Sequence, residues 1–279
     1  MASAITSLEG DRLRYRGHDA VELAGTSSFE AVAEFLWSGA DDRLATRPRW
    51  APVEATVGLA GEPDPLNRFR VAVAATAVED ELRYDLDPRA VAGAGRRVIM
   101  AMVGALPPSR PAPSRAVAGR LWVGLTGMRP TAAHVGVLDA ALVLLADHDL
   151  AVSTLAARVA ASARADPYSV VSTGLGHQVY RDRDPRAAFL LPAVASLRLL
   201  PGRWAVVEAV LAVAEERLDV PVNVDFALGA LAFGAGMRAD AVEAMFAVAR
   251  TAGWLAHAVE EYAEAPLRFR PRAAYTGPR

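Results

Sequence analysis

Two polar side chains in apolar surroundings have the chemical types that acid–base catalysis requires. His177 ends the string GLGH, and Asp225 lies in the string PVNVDF. A carboxylate can remove a proton from carbon, and an imidazole can donate a proton to a carbonyl oxygen. The two residues therefore indicate an acid–base pair. The alternative interpretation is that Asp225 is a helix N-cap and that the histidine is a hydrogen-bonded core residue.

Arginines at a few positions are suited to bind the anionic substrate of such a pair. Arg186 follows the dipeptide Asp184-Pro185, and Arg250 interrupts the apolar run 244–254. Three more arginines, at 268, 270 and 272, lie close together near the C-terminus. Because a guanidinium group binds a carboxylate through two parallel hydrogen bonds, these positions indicate a di- or tricarboxylate ligand. Ordinary surface or ion-pair roles are the alternative.

Other classes of site find little support in the sequence. The chain has no cysteine, and none of its five histidines lies four residues from another, so we expect no metal site. There is no phosphate loop of the Walker type and no nucleophile elbow. The formal net charge of −2 gives no reason to expect a nucleic-acid partner.

The composition is typical of a globular protein, with 53% apolar residues. The N-terminus, Met1 to Gly10, has no basic region followed by an apolar run, which indicates no signal peptide. The longest apolar stretch, 140–146, is far shorter than the ~20 residues that a membrane span needs. We therefore expect a cytoplasmic protein that does not associate with membranes.

The elements that would position these residues are almost all helices, so the predicted fold class is all-α with a minor N-terminal β-hairpin around Gly10. Ser27-Ser28-Phe29-Glu30, which has capping-box spacing, Asp87-Pro88 and Thr131 are predicted helix starts, since each precedes an apolar repeat of helical period. Proline-rich connectors are predicted at 41–65 and 107–113. The predicted helices run from Ser28 to Gly39, from Asp87 to about 106, and over about 131–148, 151–164, 187–199, 203–217, 224–235 and 239–260.

Six strings, in this order along the chain, resemble sequence elements of the citrate synthase family. They are LRYRGHD, ADH followed by ST, GLGHQVY followed by DPR, NVDF, ARTAGWLAH, and RPR followed by YTG. The resemblance implies a citrate synthase-like helical fold. Its large, dimer-forming helical domain would comprise residues 1–167 and 236–279, and a truncated small domain, residues 168–235, would carry the GLGH and NVDF strings.

The resemblance also implies roles for individual residues. Asp225 would remove a proton from the methyl group of acetyl-CoA, and His177 would bind and protonate the carbonyl of a keto acid. The backbone at Leu175 and Gly176 would face the nucleotide part of coenzyme A. The implied carboxylate ligands are His148, Arg186 and Arg250, with Arg270 reaching the site of the neighbouring subunit. No tightly bound cofactor is implied; a coenzyme A thioester would be a co-substrate.

One family element is missing. The family carries a histidine in a GPLHGGAN string, and this histidine binds the thioester oxygen as the enol forms. No His-Gly-Gly string occurs in this sequence, and the chain passes from Ser169 to GLGH almost at once. The nearest hydroxyls are those of Ser172 and Thr173. Because one oxyanion donor typically contributes about 10²–10³ in rate, we expect standard citrate formation to be slow or absent.

Three functions follow from these observations. The sequence favours an acyltransferase of the citrate synthase type, or a divergent Claisen- or aldol-type reaction on a carboxylate or oxo-acid substrate. The alternatives are a non-catalytic homologue that pairs with and modulates a full-length citrate synthase, and a carboxylate-binding protein. The expected assembly is a homodimer, or a heteromer with a full-length citrate synthase, because the apolar helices at 131–148 and 239–260 need a core or an interface to cover them.

Overall fold

The computed structural model describes residues 2–53, 61–107, 116–174, 184–197, 199–200, 202–217 and 222–269. This part of the chain is mostly helical and carries one small antiparallel sheet, which confirms the predicted fold class. The strands are β1 (Thr6–Glu9), β2 (Arg12–Tyr15) and β3 (His18–Asp19). The helices are α1 (Ala20–Thr26), α2 (Phe29–Ser38), α3 (Pro65–Glu79), α4 (Pro88–Ala105), α5 (Val117–Thr126), α6 (Ala132–Leu145), α7 (Val152–Ser162), α8 (Pro167–Gly174), α9 (Pro185–Ala195), α10 (Arg203–Arg217), α11 (Val224–Ala235) and α12 (Ala241–Tyr262).

The N-terminal hairpin was predicted around Gly10, and the structure confirms it. β1 and β2 pair antiparallel with Thr6 opposite Tyr15, and Gly10 makes the turn with a φ of +57°. The following Tyr15 and Arg16 then reach the C-terminal ends of two helices. The Tyr15 hydroxyl lies 3.0 Å from the carbonyl oxygen of Val143 in α6, and the Arg16 guanidinium donates to the carbonyl of Leu36 in α2. The hairpin thus binds helix-end carbonyls that lack partners within their own helices.

Helices begin at all three predicted starts, but in the string Ser27-Ser28-Phe29-Glu30 the cap is Ser28 and not Ser27, the residue with capping-box spacing to Glu30. Ser28 accepts a hydrogen bond from the N–H of Ala31, and Asp87 accepts one from Arg89. Thr131 and His134 form a reciprocal capping box at the start of α6. The helices predicted at 203–217 and 224–235 have these same bounds in the structure.

Helix α12 lies at the centre of the core. Every residue from 247 to 258 is buried, and the helix packs against α2, α3, α4, α6, α7, α8 and α11. Small residues permit close helix contacts: a Cβ at Gly95 of α4 would lie 2.7 Å from the Trp37 ring. Helix packing therefore accounts for Gly95. The expectation that the apolar stretches of α6 and α12 lie near the core holds for the described residues.

One connected apolar core joins the parts of the chain that the sequence divides into two domains. Val170, Leu190 and Leu228, from the predicted small domain, belong to the same buried cluster as Leu142 and Leu255. The boundaries at 167/168 and 235/236 stay a prediction. Among the described residues, no helix is both long and apolar enough to cross a membrane.

Candidate functional site

The described residues of the predicted site come from four helices. His148 follows the C-terminal end of α6, Arg186 lies in the first turn of α9, Asp225 lies in the first turn of α11, and Arg250 is in the middle of α12. Positions 175–177 and 270 lie outside the described residues. The roles predicted for Leu175, Gly176, His177 and Arg270 therefore stay predictions.

Asp184 connects the starts of α9 and α11. Its carboxylate caps α9 and binds the guanidinium of Arg186 through two contacts, at 2.7 Å from Nε and 2.6 Å from Nη2. The same carboxylate accepts a hydrogen bond of 3.1 Å from the backbone N–H of Val224. Although burial raises the pKa of Asp184, the ion pair with Arg186 holds that pKa below its ordinary value. One ionised side chain thus fixes Arg186 and the backbone that leads into Asp225.

Asp225 is an exposed carboxylate one residue inside α11, and it is not the helix cap. The cap is Asn223, whose side chain accepts a hydrogen bond of 3.1 Å from the N–H of Phe226. The interpretation of Asp225 as an N-cap is therefore wrong. Loss of hydration raises the pKa of Asp225, the positive charge of Arg186 opposes this, and the negative charge of Asp184 adds to it. A carboxylate with a raised pKa is a stronger base.

His148 is half-buried and lies close to two positive charges. Burial, followed by the charges of Arg186 and Arg250, lowers the pKa of His148 to about 4, whereas Asp184 and Asp147 act in the opposite direction. The imidazole is therefore neutral at pH 7. One of its ring nitrogens carries a proton that can be donated to a carboxylate or carbonyl oxygen.

Arg250 is fully buried against the end of α6. Its Nε donates a hydrogen bond of 3.0 Å to the carbonyl oxygen of Leu145, and its guanidinium lies 4.6 Å from the centre of the Phe246 ring. A positive charge at the C-terminal end of a helix interacts favourably with the helix dipole. The same residue therefore holds the α6 end in place and brings a positive charge to His148.

Mutual charge effects link the described residues of the predicted site. Arg186 acts on both His148 and Asp225, and Arg250 acts on His148. These residues span about a hundred positions of sequence, so only the tertiary fold brings them together. The arrangement combines two buried cations, a neutral hydrogen-bond donor and a basic carboxylate, which is chemistry suited to binding a carboxylate and removing a proton beside it.

The sequence analysis gave no individual role to Tyr15 or Asp184. The buried Tyr15 hydroxyl lies 3.1 Å from the carbonyl oxygen of Asp147, and Arg186 and Arg250 both affect its pKa, which burial raises. Both residues lie in strings that resemble the citrate synthase family, LRYRG and DPR. The strings therefore indicate that these residues matter, but the sequence does not show which atoms they contact. Within the described ranges, no three His, Asp or Glu side chains are grouped in a way that could hold a metal ion.

Sequence comparison finds the same relationship over nearly the whole chain. The family model "Citrate synthase, C-terminal domain" matches residues 1–176 and 171–272. The two matches overlap at 171–176, next to the gap between Ser169 and the GLGH string where the family's GPLHGGAN string is missing. Citrate synthase 2 of Bacillus subtilis is 26% identical, with 99% of this chain and 93% of that protein covered. The 2-methylcitrate synthase 2 of Corynebacterium glutamicum is 25% identical, with 96% and 90% covered.

Solved structures with the same fold include a citrate synthase from Thermotoga maritima, with a TM-score of 0.75, 23% identity and coverage of 100% of this chain and 93% of that one. A citrate synthase from Thermoplasma acidophilum, in a ternary complex with carboxymethyl coenzyme A and oxaloacetate, gives a TM-score of 0.73 at 22% identity, with 100% and 94% covered. The strings, the helical fold and the family match agree. The chain belongs to the citrate synthase family.

Proposed function

We propose that this protein acts on a di- or tricarboxylate or oxo acid together with an acyl-CoA, by Claisen- or aldol-type acid–base chemistry. The observation that carries the proposal is that the charges of Arg186 and Arg250 both act on a neutral His148, and that the charge of Arg186 also acts on Asp225. Both guanidinium groups are buried at this place, and the planar guanidinium group matches the geometry of a carboxylate.

In this proposal, substrate binding depends on the three described ligands. Arg186 and Arg250 bind the carboxylates, and His148 donates a hydrogen bond without adding a third positive charge. Arg186 already holds Asp184, which keeps its guanidinium in one orientation before the ligand arrives. Such preorganisation lowers the entropic cost of binding.

The chemical step assigns Asp225 as the base and His177 as the acid. Asp225 takes the α-proton of the acyl group, and His177 protonates the carbonyl that the resulting carbon attacks. The condensation product is still a thioester, and water must hydrolyse it to release coenzyme A. The family's histidine donor for the enolate oxygen is missing from this sequence. Ser172 and Thr173 are both exposed on α8, and the Thr173 hydroxyl already donates to the carbonyl of Val170 at 2.7 Å. We therefore expect citrate formation far below the rate of a complete citrate synthase.

Ligand binding is the first test. Citrate and oxaloacetate should each raise the melting temperature of the protein by mass action, because they bind the folded state. Arg186→Ala and Arg250→Ala should abolish the shift, whereas Arg12→Ala, at an exposed arginine of the hairpin, should keep it. The melting temperature of each variant without ligand is measured first. Absence of a shift in the wild type would contradict the proposed carboxylate site.

Turnover is the second test. Acetyl-CoA and propionyl-CoA are each offered with oxaloacetate, since the similar proteins include both citrate and 2-methylcitrate synthases. Release of free coenzyme A is followed by thiol detection. Any activity should be lost in Asp225→Asn and kept in Glu81→Gln, an exposed carboxylate outside the site. Activity that survives Asp225→Asn would remove Asp225 from the mechanism.

The absent His-Gly-Gly string favours a second candidate, a non-catalytic homologue that pairs with and modulates a full-length citrate synthase. This candidate predicts co-elution of the two proteins in size-exclusion chromatography and a changed rate of the complete enzyme after mixing. If the isolated protein elutes as a homodimer and leaves the complete enzyme unaffected, the modulator function is excluded.

A further inference from the structure

We infer that His257 is a positioning residue for His148: it fixes the carboxylate of Asp147, the residue that immediately precedes His148. The inference rests on the proposed function, because it takes His148 as a ligand of the carboxylate substrate. His257 itself is fully buried and lies in α12.

Helix α12 contacts three consecutive residues at the end of α6. Arg250 donates to the carbonyl of Leu145 at 3.0 Å, and the backbone N–H of Gly253 donates to the carbonyl of Ala146 at 3.0 Å. His257 Nε2 then lies 3.1 Å from Oδ2 of Asp147. The spacing of 250, 253 and 257 places the three residues on one face of the helix. The backbone is thereby held residue by residue up to His148.

Gly253 shows how tightly the two segments are packed. A Cβ at this position would lie 2.5 Å from the carbonyl oxygen of Ala146 and would also overlap Oδ1 of Asp147. Any larger residue would therefore separate α12 from the turn that carries His148. The close approach makes the hydrogen bond between His257 and Asp147 possible.

Arg158 fixes the direction of that hydrogen bond. Its Nη1 lies 3.1 Å from Nδ1 of His257, and its guanidinium also binds Glu260 at 2.5 Å and Glu261 at 3.0 Å. Arginine can only donate, so Nδ1 of His257 must accept. The proton of a neutral His257 is therefore on Nε2, which donates it to the carboxylate of Asp147.

The N-terminal strand adds a second donor to the same carboxylate. The Thr6 hydroxyl donates to Oδ2 of Asp147 at 2.5 Å, and the Tyr15 hydroxyl binds the Asp147 carbonyl at 3.1 Å. Both the side chain and the backbone of Asp147 are thus fixed. His148 is the first residue beyond this fixed point, and the charged groups that act on it are Arg186 and Asp184 at the start of α9, Arg250 of α12, and Asp147 itself.

A matched pair of variants separates positioning from general packing. In His257→Gln, the amide nitrogen takes the place of Nε2 and can still donate to Asp147. In His257→Asn, the shorter amide takes the place of Nδ1, so it can still accept from Arg158 but no longer reaches Asp147. Both variants replace the same buried ring and are expected to lower the melting temperature to a similar degree. Only His257→Asn removes the hydrogen bond from residue 257 to the Asp147 carboxylate, which then keeps the Thr6 hydroxyl as its donor.

Two readouts test the inference. Citrate binding, measured by calorimetry, should weaken about tenfold in His257→Asn relative to His257→Gln, which is the effect of one hydrogen bond to a charged group. The pKa of His148, followed by NMR in the protein without ligand, should rise toward its ordinary value in His257→Asn only, because the released imidazole becomes more hydrated and moves away from the two arginines. Thr6→Val, a nearly isosteric change at the hydrogen bond from the N-terminal strand, should change both readouts in the same direction.

The two readouts also separate this inference from the proposed function. If the wild type does not bind citrate but the pKa of His148 rises only in His257→Asn, the proposed function fails and the positioning role holds. If His257→Asn and His257→Gln give the same affinity and the same His148 pKa, His257 has a structural role only. Should both His257 variants fail to fold, Thr6→Val decides: unchanged affinity and unchanged pKa overturn the inference.

Discussion

Asp139 on α6 is a carboxyl group whose surroundings oppose its ionisation. Burial and, next, the negative charge of Glu30 raise its pKa from 3.8 to about 7, although the N–H of Phe29 and the charge of Arg47 act in the opposite direction. The Phe29 N–H lies 3.2 Å from Oδ1 of Asp139. Burial likewise raises the pKa of Glu30, whose carboxylate accepts a hydrogen bond of 2.7 Å from Val117. Two carboxyl groups with raised pKa values thus lie on α2 and α6.

The stability consequence follows from the direction of this shift. Between pH 4 and pH 7 the folded protein holds a proton on Asp139 that the unfolded chain has already released, so the free energy of unfolding falls as the pH rises through this window. A difference of about three pKa units corresponds to at most about 4 kcal/mol. Below pH 4 the group is protonated in both states and contributes nothing.

Asp139→Asn removes the ionisation and keeps the hydrogen bond, because the amide oxygen can accept from Phe29. We expect the variant to match the wild type at pH 4 and to exceed its free energy of unfolding by up to about 4 kcal/mol at pH 8. Since 1 kcal/mol shifts the melting temperature of a protein of comparable size by roughly 2–4 °C, the gain at pH 8 should be several degrees. Urea unfolding followed by circular dichroism, at half-unit steps from pH 4 to pH 8.5, measures the difference directly.

The control is Glu81→Gln, which neutralises an exposed carboxylate and should leave the pH profile unchanged. The reasoning about Asp139 is refuted if Asp139→Asn is less stable than the wild type at pH 8, or if its effect is the same at every pH. The first outcome would mean that the ionised carboxylate stabilises the fold, and the second that the substitution acts through packing.

Three further predictions concern the contacts that hold the helix ends. Gly253→Ala should lower the free energy of unfolding by about 1–3 kcal/mol in urea titrations, because its Cβ overlaps Ala146 and Asp147, and should also weaken the thermal shift with citrate. Asp184→Asn breaks a buried ion pair with Arg186 and should cost about 3–5 kcal/mol, measured in the same way. Thr131→Ala removes an exposed helix cap and should cost only about 1 kcal/mol, with no change in citrate binding by calorimetry.

Local signals explain which helices could be predicted from the sequence. The start of α11 was predicted at 224 because Asn223 is a good cap, and Gly236 in the left-handed conformation ends the helix. Asp64-Pro65 gives α3 the same signal as Asp87-Pro88 gives α4, but the prolines around it led to its assignment as part of a connector. The capping signal for a helix was therefore present at Asp64-Pro65, but the many prolines between 41 and 65 favoured the prediction of a connector.

The start of helix α5 could not be predicted from a local capping residue. The N-cap residue Ala116 makes no side-chain capping hydrogen bond. The N–H of Val117 instead donates to Glu30, which lies 87 positions earlier in α2. The cap is therefore a tertiary contact. The hydrogen bonds that His257 donates to Asp147 and accepts from Arg158 are of the same kind, with partners about a hundred residues apart. No local pattern around His257 identifies the residues that it contacts.

Among the described site residues, Arg186 and Arg250 make contacts that stabilise the fold, whereas Asp225 has no such structural role as a helix cap. Arg186 is paired with Asp184, and Arg250 holds the end of α6, so each would be retained for stability alone. Asp225 differs from them, because Asn223 already caps α11 and the surroundings of Asp225 raise its pKa, which means that they disfavour its charge. Ionisation of this exposed side chain therefore does not favour the folded state. The same Asp225→Asn variant that should lose turnover is therefore expected to be at least as stable as the wild type. The presence of Asp225 is accordingly the strongest argument in the site for chemistry rather than for binding alone.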